Sequence, residues 1–141
     1  MRGWEKIDAA FMIPFARFLS AVISTLILYQ CALVAPAINI ALPVEPAAIM
    51  LRFIWPIFFA LVGILGVVGV LASKTHKWAR MVNLVTVLGM LVCYFLVPVI
   101  NGAKDGDQMV LWKVLHMVTV ALTFLSLILH LLFIFRWHKK N

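Results

Sequence analysis

The residues best suited to chemistry in this chain are two histidines and two cysteines set in apolar sequence. His116 and His130 are fourteen residues apart. At ~100° per residue that spacing returns to within about 40° of one helix face, with the rings about 21 Å apart along the axis. Helices of membrane b-type cytochromes offer axial ligands to two haems in this way, and imidazole is a suitable iron ligand. Each haem b would need a second ligand from another helix. No other helix carries a matching pair, and His76 and His138 lie in polar flanks, so haem binding here would require a homodimer. The plainer reading gives His130 a cross-helix hydrogen bond and leaves His116 at the interface. His130 is the leading functional candidate on either reading, because an ionisable group about six residues inside a span is costly unless partnered or used.

Cys31 and Cys93 each open a copy of one pattern, C-x-x-x-x-P-x-I-N-x-A. Cys31, Pro36, Ile38, Asn39 and Ala41 recur as Cys93, Pro98, Ile100, Asn101 and Ala103 at a constant offset of 62. Apolar runs aligned by chance would share mainly Leu and Val. With a one-residue slip, the match extends to Phe15-Ala16-Arg17 against Trp78-Ala79-Arg80, and to Arg52 and Ala60-Leu61 against Lys113 and Ala121-Leu122. The pattern reads as a duplicated helical hairpin whose halves enter the membrane in the same direction, a parallel pseudo-twofold repeat about an axis along the membrane normal. The two thiols would then face each other across that axis and could hold a soft metal ion, with Met90 and Met117 nearby. Two thiols without a carboxylate or CxxC spacing are equally what small apolar residues in a helix seam look like.

Other polar residues group by position. Asn39, Arg52, Asn101 and Lys113 are expected to form a polar cluster at the outer mouth, able to attract an anion or a lipid headgroup, although snorkelling alone would bring the cations there. Thr119, Thr123 and Ser126 lie at i, i+4 and i+7, a single stripe suited to an interhelical contact. Gly63, Gly66 and Gly69 mark a seam where a neighbouring backbone can approach closely. No carboxylate lies inside any span, which disfavours a proton-coupled carrier of the usual acidic type. There is no Ser/His/Asp set, phosphate loop or zinc-protease motif, so an enzyme is the least expected class.

The elements that must position these groups are membrane spans. The chain has 141 residues, 65% of them hydrophobic and 12% charged, with a mean hydropathy of +1.10, too apolar for a soluble domain. Its net charge of +7 sits at span ends and calls for no nucleic acid. Spans are expected at about 15–34, 49–72, 79–100 and 109–135 within one membrane domain covering 1–141, each near the ~20 residues a hydrocarbon core requires. Pro36, Pro43 and Pro46 are expected to break the chain between the first two. Residues 1–13 suit an amphipathic interfacial segment ending at Pro14. Val34-Ala35-Pro36-Ala37 resembles a cleavage site, but the preceding apolar stretch is too long for a signal peptide and the N-terminus carries acids, so the segment is expected to be retained.

Cations decide the orientation. Arg2, Lys6, Arg17, Lys74, Lys77, Arg80, Arg136, Lys139 and Lys140 fall on one side, against Arg52, Lys104 and Lys113 on the other. Both termini are therefore expected in the cytoplasm, with Trp4, Trp78 and Trp137 at the inner interface and Trp55 and Trp112 towards the outer one. The expected fold is all-α, an integral membrane four-helix bundle built from two repeated hairpins.

Val34-Ala35-Pro36-Ala37, Phe53-Ile54-Trp55-Pro56-Ile57-Phe58-Phe59, the P-x-I-N at Pro98 to Asn101 and Leu115-His116 together resemble a family of small bacterial four-span membrane proteins grouped with the transmembrane-protein-205-like proteins. The resemblance runs from about Phe15 to about Leu129. Where members tend to have Arg before the Leu-His, this chain has Lys113 two residues earlier, and Thr119 and Thr123 replace the Ser and Asn that often follow. The resemblance implies a fold and a bacterial inner-membrane location but no activity. The favoured expectation is a non-enzymatic accessory or assembly subunit packing against membrane partners in the lipid bilayer. The alternative is a homodimeric haem protein, or a soft-metal or small-solute carrier with its site on the pseudo-twofold axis.

Overall fold

The computed structural model describes residues 3–74 and 76–136. Among these, α1 (Gly3–Leu28) passes through one π-helical turn (Tyr29–Val34) into α2 (Ala35–Ala41), and these three segments form the first membrane crossing. Three single helices follow: α3 (Val44–Ala72), α4 (Lys77–Asp105) and α5 (Met109–Arg136). Four stretches of the described residues are long and apolar enough to cross a bilayer, namely Pro14–Ala41, Val44–Ala72, Lys77–Asp105 and Met109–Phe135. The protein is a multi-pass membrane protein with an all-α four-helix bundle fold.

The crossings pack as a closed ring. The first crossing touches α3 and α5, and α4 touches α3 and α5, so the first crossing and α4 stand diagonally across the bundle. The main core draws on every crossing: Ile23 and Ile27, then Phe59 and Val62, then Met90 and Cys93, then Leu127. A smaller cluster of Ala16, Ala79, Val82 and Phe133 closes the Ser73 end. Large apolar residues such as Phe18, Phe53, Leu88 and Phe124 are exposed. In a soluble protein such faces would be a liability, but here they are the lipid contact.

The prolines break the helices less than expected. Pro14 lies inside α1, so residues 3–13 continue into the first crossing without a break. Pro36 sits in the first turn of α2, where its missing N–H costs little, and the helix runs on to Ala41. The real corner is Leu42-Pro43, which is extended, and α3 starts at Val44. Arg2, Trp137, Lys139 and Lys140, which entered the count of inner cations and tryptophans, lie outside the described residues.

The π turn falls where the two copies of the sequence pattern slip by one residue. Fourteen residues separate Arg17 from Cys31, against thirteen between Arg80 and Cys93. A π turn closes its hydrogen bond one residue later than an α turn, so it absorbs one extra residue without rotating the rest of the helix off its face. Before it, at an offset of 63, Ala16, Leu19, Ser20, Ile23 and Ile27 are buried, as are Ala79, Val82, Asn83, Thr86 and Met90. At an offset of 61, Phe58, Val62, Gly66 and Gly69 are buried, as are Thr119, Thr123, Leu127 and His130.

α4 ends in a tight turn that fixes the mouth of the bundle. Gly106 N–H donates to the Gly102 carbonyl at 2.9 Å and Gln108 N–H to that of Ala103 at 2.8 Å. Asp107 supplies the left-handed residue, with φ of 54°.

Candidate functional site

His130 lies at the centre of a polar knot joining three helices. Its Nδ1 is 3.0 Å from Ser20 Oγ on α1, its Nε2 is 3.0 Å from Thr86 Oγ1 on α4, and all three side chains are 0% exposed. The hydrogen-bond chain selects a tautomer. Thr86 donates its hydroxyl proton to the Val82 carbonyl at 3.1 Å, so it must accept from His130, which puts the ring proton on Nε2. Nδ1 is then the acceptor and Ser20 the donor. The neutral imidazole is fully satisfied.

This geometry does not suit a haem ligand. Both ring nitrogens of His130 are committed to side chains, and iron ligation would break at least one bond in a closed core. His116 is elsewhere in character: it is exposed, stacked on Trp112 at 5.5 Å with planes 7° apart. The cross-helix hydrogen bond is the reading of His130 that the geometry supports.

Towards the other end the bundle opens into a cavity of about 450 Å³ bordered by all four crossings. Its walls are apolar and aromatic, with Trp55, Phe59, Val97 and Phe124. Trp55 and Phe59 stack at 5.5 Å. Thr119 and Thr123, both buried, line it on α5, and Asn39, Arg52, Asn101, Lys104 and His116 stand around its mouth. The volume falls within the usual range for small-molecule sites, as does the mix of apolar wall with a few convergent polar groups.

The mouth corrects the expected polar cluster in one member. Asn39, Arg52 and Asn101 line the cavity, but Lys113 is exposed and outside it, and Lys104 takes its place. Lys113 sits one turn into α5 on a face turned away, whereas the α4 C-terminal turn brings Lys104 Nζ to 5.6 Å from the Trp112 ring centroid. Arg52 forms a two-pronged pair with Asp105, at 2.9 and 2.5 Å. That carboxylate was not expected there. Its signal in the sequence was one of two acids, Asp105 and Asp107, just after Lys104, 53 residues from Arg52.

Cys31 belongs to the π turn and lines the cavity, half-buried. Cys93 is fully buried, its thiol 3.8 Å from the Thr119 carbonyl, to which it donates. They sit on the diagonal crossings, but no group of three or more His, Cys, Asp or Glu able to hold a metal ion occurs among the described residues. Met90 packs in the same core cluster as Cys93, with Cys31 against it.

The three glycines of α3 lie against α4. A Cβ on Gly63 would stand 3.5 Å from Met90 Cβ, on Gly66 2.9 Å from Val87 Cγ2, and on Gly69 2.0 Å from Asn83 Oδ1. Gly69 stands 61 residues before His130, and Asn83 63 residues after Ser20, the offsets at which burial recurs. A large side chain meets a small one at both places, with the sizes exchanged between partners.

Fold and site together define a four-span α-helical membrane protein with an interhelical cavity at one end and a buried polar centre towards the other. No family model, curated protein or solved structure was found that matches the chain.

Proposed function

We propose that this protein binds a small amphiphile with an anionic head in the cavity at the Arg52 end of its bundle. One observation carries the reading: a mostly apolar cavity has two permanent cations at its mouth, of which Arg52 is paired with Asp105, while Lys104 lies over the Trp112 ring and shares the field of that one carboxylate, so the mouth keeps a net positive charge. Glu45 and Asp107, the other carboxylates of this end, do not line it. An anionic head would meet Lys104 with the Asn39 and Asn101 amides, and an apolar tail would lie between Trp55, Phe59 and Phe124. Packing against partner subunits, the role favoured by the sequence, gives no reason for such a cavity. The small-solute reading therefore moves ahead of it.

The rest of the reading concerns setting and descent. The cation count supports both termini in the cytoplasm, which puts the cavity mouth at the outer face, and the family resemblance supports a bacterial inner membrane. The recurring motif, the buried positions shared at its offsets and the one-residue π turn support descent from a duplicated hairpin. The short motifs support membership of the transmembrane-protein-205-like family.

Tryptophan quenching by bromolauric acid tests the ligand. Trp55 and Trp112 line the cavity, so the acid should quench them saturably in the detergent-solubilised protein. Lys104→Gln should weaken binding about tenfold, the worth of one charge-assisted contact. The reading falls if quenching does not saturate, or if Ala48→Phe, which fills the cavity wall, leaves it unchanged.

A further inference from the structure

The polar residues that the cavity does not use form a track through the bundle. On α5, Thr119 and Thr123 line the cavity, and Ser126 and His130 follow on the same face at successive turns. On α1, Ser24 lies one turn from Ser20 towards the cavity. On α4, Asn83 lies one turn from Thr86 towards the Ser73 end. Ser24 is 4% exposed, Ser126 1% and Asn83 1%, and Ser24 Oγ, Ser126 Oγ and Asn83 Oδ1 have no hydrogen-bond partner among the described residues. Buried polar atoms of this kind are normally satisfied by ordered water. Three of them in line with a titratable ring are more than packing needs.

The two nitrogens of His130 face the two halves of this track. Nδ1 meets Ser20, whose neighbour Ser24 leads to the cavity, and Nε2 meets Thr86, whose neighbour Asn83 leads away from it. We propose that His130 is the centre of a proton relay, fed from the cavity through Ser24, Ser126 and Ser20 and emptied through Thr86 and Asn83 towards the Ser73 end. Ser20 passes its hydroxyl proton to Nδ1 and is re-protonated by water from the cavity side. The ring, now cationic, gives its Nε2 proton to Thr86 Oγ1, whose own proton leaves the Val82 carbonyl for water beside Asn83. Each transfer breaks one O–H or N–H bond and forms another, with no electron moved. The ring is left neutral with its proton on Nδ1, and its tautomer must reset to Nε2–H before the next transfer. The side chains bonded to the ring are Ser20 from α1 and Thr86 from α4, neither charged. No fixed charge is bonded to the ring to pin it in one protonation state.

Proton flux into pyranine-loaded vesicles tests the relay, with the full chain reconstituted and the flux driven by a potassium diffusion potential with valinomycin. The wild type should exceed protein-free vesicles by about tenfold, as a conducting intramembrane histidine would allow. His130→Gln, which offers Ser20 an acceptor and Thr86 a donor but takes up no proton, should return the flux to background while keeping the helical signal and the melting curve. Thr86→Val, which closes the exit at nearly equal volume, should also return the flux to background, with the helical signal kept and the stability lowered. A wild type at background overturns the proposal, and so does a folded His130→Gln protein that conducts like the wild type. The result is independent of whether bromolauric acid binds the cavity.

Discussion

Gly69→Ala is the substitution that most directly tests how the two halves of the bundle meet. The added Cβ would fall 2.0 Å from Asn83 Oδ1 and 2.3 Å from its Cγ, inside any real contact distance. Asn83 is 1% exposed and its Nδ2 donates to the Ala79 carbonyl at 2.8 Å, so rotating it away sacrifices that bond. Overpacking costs about 1–3 kcal/mol and the lost hydrogen bond about 1 kcal/mol. Alanine's helix propensity returns about 1 kcal/mol, leaving a net loss of about 1–3 kcal/mol. Gly63→Ala is the matched control. Its Cβ would make ordinary contact at 3.5 Å from Met90, so the propensity gain should leave it neutral or slightly stabilised. Unfolding in mixed micelles by rising SDS fraction, followed by circular dichroism and tryptophan fluorescence, reads both. Combining Gly69→Ala with Asn83→Ala should recover most of the loss, since the neighbour is removed with the clash. Equal stability of Gly69→Ala and wild type would refute the reasoning, as would a Gly63→Ala protein that loses as much.

Further outcomes follow from the same structure. Ser20→Ala and Thr86→Val should each cost about 1–3 kcal/mol in the same unfolding assay, because each strands one nitrogen of a fully buried ring. Cys31 should react with N-ethylmaleimide in micelles at least about tenfold faster than Cys93, compared in Cys93→Ala and Cys31→Ala proteins by mass spectrometry. Lauric acid should slow the Cys31 reaction, which lies in the cavity wall, and not that of Cys93. Asp107→Gly should stabilise the protein by about 0.5–1 kcal/mol, since glycine adopts the left-handed conformation of the α4–α5 turn without a Cβ penalty. A melting temperature unchanged or lowered would count against that turn.

The sequence by itself determined that there are four crossings and that the fold is all-α. Those conclusions rest on local physics: a bilayer demands about 20 apolar residues per span and leaves no other way to satisfy the backbone. The one-residue slip in the repeat was also legible. The π turn that falls there was not, because a shifted alignment does not say where a helix bulges. Proline misled for a related reason, since whether Pro36 ends a helix or starts one depends on which backbone donors its neighbours already leave free. His130 stood out from its cost in an apolar span. Its choice of hydrogen bonds over a haem was settled by Ser20, 110 residues away, and by Thr86 on a third helix. The mouth of the cavity depended most on tertiary structure: Lys113 and Lys104 look equally placed in the chain, and only the rotation of α5 and the turn that closes α4 decide which cation reaches the opening. Burial and span length are properties of a segment. Partnership between side chains is a property of the packed helices, and distance along the chain carries almost no information about it.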